Sequence, residues 1–130
     1  MSDLARAFDH GKAFIAFLTC GDPDLETTAA AVRAAAQNGA DLIELGIPFS
    51  DPMADGPVIQ EASTAALRNG MSLHVLFEQL EDIRQDVHIP IILMGYLNPI
   101  MQYGFEAFCR KCVQTGVDGM IIPDLPFADY

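Results

Sequence analysis

Four short apolar runs alternate with stretches of helical periodicity along this chain of 130 residues. The runs occupy residues 13–20, 41–47, 89–96 and 117–124, and they have the length of strands. Runs of consecutive apolar residues, rather than every second one, are typical of parallel strands covered on both faces. The pattern therefore predicts four buried parallel strands.

Between the strands, apolar residues recur at three- and four-residue spacing. This spacing predicts helices at residues 25–39, from about 72 to 87, at 103–114, from about 55 to 70, and a short opening helix that stops at Gly11. Strands and helices in this alternation indicate parallel β/α units, in a doubly wound sheet or in a barrel. A loop with polar residues or prolines follows each strand, which favours a barrel with functional groups at the carboxyl ends of its strands.

The second strand carries a charge within apolar sequence. If Glu44 faces the interior of a barrel, the residues two positions away face inward with it, and Ile43, Leu45 and Ile47 face the helices. An ionised carboxylate there needs a partner, a proton, or exposure at the functional end of the strand. We expect Glu44 to be functional; the alternative is a core acid bonded to a donor on a neighbouring strand.

A loop rich in proline and aspartate follows that strand, over residues 48–57. It carries a second carboxylate, Asp55, directly before Gly56 and Pro57 at the predicted start of a helix. An aspartate in this position is also a good helix N-cap. The residues alone leave capping and catalysis equally open.

The charge balance limits the partners. The formal net charge is -11 and the isoelectric point is near 4.3. Nucleic-acid binding depends on clustered Lys and Arg that this chain lacks, so no nucleic-acid partner is expected. The chain has neither the apolar core of a signal peptide at its start nor about 18 consecutive apolar residues, so we expect a cytoplasmic protein without membrane contact.

The three cysteines are too few, and odd in number, for a disulfide framework. Cys109 and Cys112 match the C-x-x-C pattern of redox pairs. They also share helical spacing with Phe105, Phe108 and Val113, which predicts two thiols packed on the apolar face of a helix.

Signatures of cofactor sites are missing from the sequence. The three histidines are scattered, so no metal site is expected. No G-x-G-x-x-G follows the first strand and no G-x-x-x-x-G-K occurs, so neither a dinucleotide nor a nucleoside triphosphate is signalled.

Four motifs point to one enzyme family. FLTCGDPD, ELGIPFSDPMADGPVIQ, MGYLNPI and GVDGMIIPDLP resemble, in order and spacing, the α-subunit family of tryptophan synthases, from about Phe14 to the end. The resemblance implies a TIM (β/α)8 barrel, with residues 1–130 as a single domain that forms the first four β/α units. It also implies a lyase of tryptophan biosynthesis, which cleaves indole-3-glycerol phosphate to indole and glyceraldehyde 3-phosphate without a cofactor. The implied partner is a β subunit, in an α2β2 complex.

The resemblance also implies two catalytic carboxylates. Glu44 matches the general acid/base, and Asp55 matches the carboxylate that accepts the indole N–H. Cleavage requires protonation of indole C3 and then removal of a proton from the neighbouring hydroxyl, and one glutamic acid that does both contributes about 10²–10⁴ in rate. Asp55 would stabilise the positive charge that develops on the ring.

Two further sets of residues match family positions. The apolar lining of the indole pocket corresponds to Phe17, Met94, Ile121 and, as a further member, Tyr96. The loops that contact the β subunit correspond to Asp51, Pro52, Asn98 and Pro99. By strand parity the first set faces inward, and the alternative is ordinary barrel core; turn formation explains the second set equally well.

The sequence departs from the family in extent, since the family continues through four more β/α units. Phosphate is usually held in this fold by loops after strands 7 and 8. We therefore expect the 130-residue chain alone to be inactive, and to pair with another half or to self-associate through its unpaired sheet edges.

Two other functions fit the same pattern. Another lyase or isomerase of phosphorylated sugars would share the β/α rhythm and a buried acid. The third possibility is a non-catalytic half-barrel that serves as an assembly or folding module.

Overall fold

The computed structural model describes residues 12–22, 24–48, 67 and 70–124. Its strands are β1 (Ile15–Thr19), β2 (Leu42–Gly46), β3 (Ile91–Met94) and β4 (Gly119–Ile121). Its helices are α1 (Leu25–Gln37), α2 (Leu73–Ile83), α3 (Leu97–Tyr103) and α4 (Phe105–Gln114). The predicted opening helix, and all but Leu67 and Gly70 of the helix predicted near residues 55–70, lie outside the described residues.

The four strands form one parallel sheet in the order β1-β2-β3-β4. A doubly wound sheet reverses its strand order at a switch point, whereas a barrel places consecutive strands side by side. The order within the described residues is therefore that of one half of a barrel.

The strand register divides the sheet into two faces. Ile43 and Leu45 are fully buried in a core shared with the helices, as are Ile91 and Leu93 of the next strand. This confirms the prediction that Ile43 and Leu45 of β2 face the helices. The opposite side, which we call the inner face, carries the alternate residues Ile15, Phe17, Thr19, Leu42, Glu44, Gly46, Ile92, Met94, Gly119 and Ile121.

Helices α1 and α2 begin and pack as their sequences predict. Asp24 caps α1 by accepting a hydrogen bond from the Thr27 amide at 2.8 Å, and Ser72 caps α2 in the same way. The buried side of α2 carries apolar residues at three- and four-residue spacing: Leu73, Leu76, Phe77, Leu80 and Ile83.

The strands are shorter than the apolar runs that predict them. Only three residues of the run at 117–124, for example, belong to a strand, β4. Apolar sequence reports burial, and burial extends into the connections on either side of the hydrogen-bonded ladder. Val87, predicted to end α2, lies four residues beyond it and is nevertheless buried.

Asn98 and Pro99, which turn formation would explain, lie instead in the first turn of α3. Proline is tolerated there, since the first N–H groups of a helix have no intrahelical acceptor. The predicted helix at 103–114 is instead divided at Gly104, whose φ of 107° separates α3 from α4.

The predicted apolar face of α4 is partly wrong. Phe108 and Cys112 are buried, but Phe105 is 44% exposed and Val113 is 81% exposed. The buried pair lies four residues apart and faces the sheet, whereas Phe105, Cys109 and Val113 follow a neighbouring line on the helix. All three cysteines are free.

Two aspartates fix the amino ends of the strands. Asp118 accepts hydrogen bonds from the Ile91 amide and from Arg84, both at 2.9 Å. Asp41 accepts one from the Phe14 amide at 2.8 Å. Both carboxylates join neighbouring strands at the end opposite to the one where a barrel builds its active site.

Candidate active site

Glu44 lies in the middle of β2, on the inner face. It pairs in register with Phe17 on one side and Ile92 on the other, and its side chain is half-buried. Among the described residues, no hydrogen bond or ion pair engages its carboxylate; Arg33 and Arg84 pair with other acids. The described residues therefore do not show Glu44 as a core acid bonded to a donor on a neighbouring strand.

Phe17 packs against the backbone beside Glu44. A Cβ atom added to Gly46 would lie 3.0 Å from Cζ of the Phe17 ring. The ring thus extends along β1 toward the carboxyl end of the sheet, over Gly46, where a larger residue would require the ring to shift. Phe17 is also the register partner of Glu44, so an aromatic residue neighbours the acid on the inner face.

Met94 and Ile121 lie one row closer to the carboxyl end. They pair with each other in register, and Met94 also pairs with Gly46. Met94 is half-buried, and Ile121 is 40% exposed on the inner face. The structure therefore places Phe17, Glu44, Met94 and Ile121 on one face, in two adjacent rows.

Tyr96 lies beyond the end of β3, where it is the N-cap residue of α3. Its side chain is 8% exposed, and it is not among the core residues between sheet and helices. This location at the carboxyl end of the sheet is compatible with the predicted role in a pocket.

The other sequence-predicted site residues divide into two groups. Asp55, Asp51 and Pro52 lie outside the described residues. Asn98 is exposed on the first turn of α3, and Pro99 borders a cleft of about 310 Å³ between α2 and α3. Both α3 residues lie on the rim of the sheet rather than on its inner face.

Two hydrogen bonds at the carboxyl ends of the strands were not anticipated from the sequence. The buried Thr28 hydroxyl of α1 accepts a hydrogen bond from the Gly21 amide at 2.7 Å and holds the loop after β1. The Asp124 carboxylate accepts one from the Leu97 amide at 2.8 Å. The sequence offered one signal for each bond. Thr28 is a polar residue on the apolar stripe of α1, and Asp124 follows Pro123 just after β4.

Among the described residues, the groups whose pKa departs from its ordinary value lie away from the inner face. Burial raises the pKa of the Cys20 thiol to about 12, and burial raises that of Cys112 to about 12 with a smaller contribution from Cys109. These thiols are therefore protonated at neutral pH, and Cys112 fits the packing role predicted for it.

The described residues contain no cluster of histidine, cysteine, aspartate and glutamate that could hold a metal ion. None of their helices combines the length and apolar character needed to cross a bilayer.

Comparison with known proteins identifies one family. The family described as tryptophan synthase alpha chain matches residues 4–130. The tryptophan synthase alpha chain of Parabacteroides distasonis is 69% identical over 114 residues, which are 88% of this chain and 44% of that protein.

Solved structures agree with the sequence match. Tryptophan synthase subunit alpha from Legionella pneumophila superposes with a TM-score of 0.90 at 41% identity, over 97% of this chain and 50% of that one. A tryptophan synthase complex from Pyrococcus furiosus gives 0.82 at 44% identity, over 88% of this chain and 47% of that one. The chain thus spans about half the length of the relatives it matches.

Proposed function

Because the chain belongs to the tryptophan synthase alpha chain family, we propose that it supplies the amino-terminal half of a lyase barrel. The proposed reaction is the retro-aldol cleavage of indole-3-glycerol phosphate to indole and glyceraldehyde 3-phosphate. The observation that carries the proposal is the Glu44 carboxylate, which lies half-buried on the inner face beside the Phe17 ring.

The proposed role of Glu44 is proton transfer in both directions. Its carboxyl group donates a proton to indole C3 and then, as the carboxylate, removes the proton of the adjacent hydroxyl while the carbon–carbon bond breaks. Two features support this role: Glu44 is half-buried beside Phe17 on the inner face, and no described residue holds its carboxyl group in a permanent ion pair.

Asp55 is proposed to accept the indole N–H, a role that rests on the family match alone. Positive charge develops on the ring as C3 is protonated, and a carboxylate at the nitrogen stabilises it. The proposed apolar lining of the indole pocket consists of Phe17, Met94, Tyr96 and Ile121.

Residues 1–130 are proposed to fold as one domain. Four β/α units cannot provide the phosphate-binding loops that this fold places after strands 7 and 8. We therefore expect the 130-residue polypeptide alone to release no indole, and the barrel completed to the length of its relatives to be active.

A β subunit is the proposed partner, contacted through Asp51, Pro52, Asn98 and Pro99. The solved Pyrococcus relative is a tryptophan synthase complex, which supports association in general. The exposed position of Asn98 on the rim is compatible with such a contact. We propose the cytoplasm as the location, because a phosphorylated substrate does not cross membranes unaided.

The decisive test measures indole release by the completed barrel. Glu44→Gln and Asp55→Asn are each expected to abolish it, while Glu78→Gln, at an exposed position on α2, should leave it unchanged. Full activity of either site variant would contradict the proposal. Turnover of another phosphorylated sugar, without indole release, would favour the rival isomerase or lyase class.

A further inference from the structure

The hydrogen-bonded ladder between β3 and β4 ends at a proline. Its last backbone bond runs from the Gly95 amide to the Ile121 carbonyl, at 3.0 Å. In a parallel ladder the next donor would be the amide of residue 123, and this residue is Pro123, which has no N–H. Backbone pairing between the two strands therefore cannot continue in its regular form past this point.

A side chain takes over where the ladder stops. The Leu97 amide, two residues after Gly95, is the next donor on the β3 side, and its regular acceptor would be the Pro123 carbonyl. It donates instead to Oδ1 of Asp124, at 2.8 Å. The Asp124 carboxylate thus extends the connection between the two β/α units by one further bond.

The same bond caps a helix. Leu97 is the first residue of α3, and its N-cap residue, Tyr96, makes no side-chain capping hydrogen bond. The first amides of a helix need acceptors from outside it, and tyrosine is not a capping residue. The cap of α3 therefore comes from the neighbouring β/α unit.

We propose that Asp124 is a positioning residue for the substrate pocket, acting through Leu97 on Tyr96. The bond holds the residue that directly follows Tyr96, and so contributes to the position of the tyrosine relative to Met94 and Ile121. This inference rests on the proposed function, because it assigns Tyr96 to the indole pocket. Asp124 itself need not touch the substrate.

Asp24 provides a matched control. Its Oδ1 also accepts a helix amide, that of Thr27, at 2.8 Å. That bond lies within the start of α1 and connects no second strand. Removing Asp24 therefore costs a cap of the same chemistry without affecting the rim next to Tyr96.

The first measurement is amide hydrogen exchange of Leu97 in the full-length protein. Asp124→Ala should speed this exchange by about threefold to tenfold, the equivalent of one net hydrogen bond. Asp124→Asn retains an acceptor oxygen and should largely preserve the protection. Asp24→Ala should leave Leu97 unchanged. Unaltered exchange in Asp124→Ala, or equal loss in Asp124→Asn, would overturn the proposed cap.

The second measurement separates positioning from simple stabilisation. In steady-state indole release, Asp124→Ala should raise KM by about threefold to tenfold, as expected for one lost hydrogen bond that orders the pocket, while kcat stays within about twofold. Asp124→Asn should restore KM, and Asp24→Ala should lower the melting temperature without changing KM. A KM equal to wild type in Asp124→Ala, or raised equally in Asp24→Ala, would refute the positioning role.

The two measurements keep this inference distinct from the proposed function. If the wild-type protein releases no indole, the proposed function and the substrate role of Tyr96 both fail, while the exchange experiment still decides whether Asp124 caps α3. If Glu44→Gln is inactive but Asp124→Ala has normal KM, the function stands and only the positioning role is lost.

Discussion

The two faces of β2 differ in what their side chains contact, although they belong to the same five residues. Leu45 is fully buried against the helices, whereas its neighbour Glu44 is half-buried on the inner face. Every residue that faces the helices from β2 and β3 is apolar, and the carboxylate lies on the other side. Because side chains alternate along a strand, one strand can hold the fold together with one face and carry chemistry on the other.

The difference has a physical cause. A charged group on the helix side would be buried without water or a partner, at a cost of several kcal/mol. On the inner face it retains access to the carboxyl end of the sheet. The division therefore predicts that substitutions on the two faces have opposite effects on activity and on stability.

The largest expected effect is the loss of activity in Glu44→Gln. The glutamine is nearly isosteric but cannot transfer the proton, so kcat in the completed barrel should fall by about 10²–10⁴ or more. The melting temperature should stay close to wild type, because no described residue bonds to the carboxylate. A large fall in the melting temperature of this variant would show that Glu44 belongs to the core.

Leu45→Ala should have the reverse effect. Removing a fully buried leucine leaves a cavity in the core, and the free energy of unfolding should fall by about 2–5 kcal/mol. Denaturant unfolding gives the loss of stability and the folded fraction, and indole release per folded molecule in the absence of denaturant should be retained. Ile15→Ala, at an exposed residue of the inner face, is the control and should cost clearly less.

Two glycines distinguish the faces more finely. An added Cβ at Gly95 would lie 2.9 Å from Cβ of Ile47, next to its backbone, whereas at Gly46 it would meet the end of the Phe17 ring at 3.0 Å. Gly95→Ala should therefore destabilise the fold by about 1–3 kcal/mol. Gly46→Ala should cost less stability but raise KM for indole release, because the ring can turn aside only within the proposed pocket.

Steady-state kinetics and denaturant unfolding of both alanine variants would check this contrast. The comparison would be broken by a Gly46→Ala protein with normal KM and a stability as low as that of Gly95→Ala. Such a result would mean that the inner face is packed as tightly as the helix side.

The division into faces could be predicted from the sequence because it follows from periodicity. Continuous apolar runs indicated parallel strands, and one charge in the second run identified the face of β2 that differs. The position of Glu44 followed from counting along the strand. Helix caps at Asp24 and Ser72 likewise depend only on neighbouring residues.

Contacts between distant residues could not be predicted in this way. The bond between Leu97 and Asp124 joins residues 27 positions apart, and no local pattern in either segment specifies it. The helix that contains Asn98 and Pro99 was missed because that dipeptide also favours turns, and only tertiary packing decides between the two. The exposed side of α4 was missed for the same reason, since helical spacing does not show which neighbours are present.

The smallest effect is expected at the outer surface, where Arg33 of α1 pairs with Asp86 after α2, at 2.9 Å. The hydrogen bond from Arg33 lowers the pKa of Asp86, so the stability it provides is present above the ordinary pKa of an aspartate and is lost as the pH falls through the lowered value. Arg33→Gln should remove this part of the dependence of stability on pH. At pH 7 the fall in melting temperature should be smaller than for Leu45→Ala, because exposed ion pairs are screened by water and salt. Melting curves at neutral and acidic pH, with and without added salt, would measure it. A loss as large as that of Leu45→Ala would mean that surface charge, rather than the buried face of the sheet, holds the helices in place.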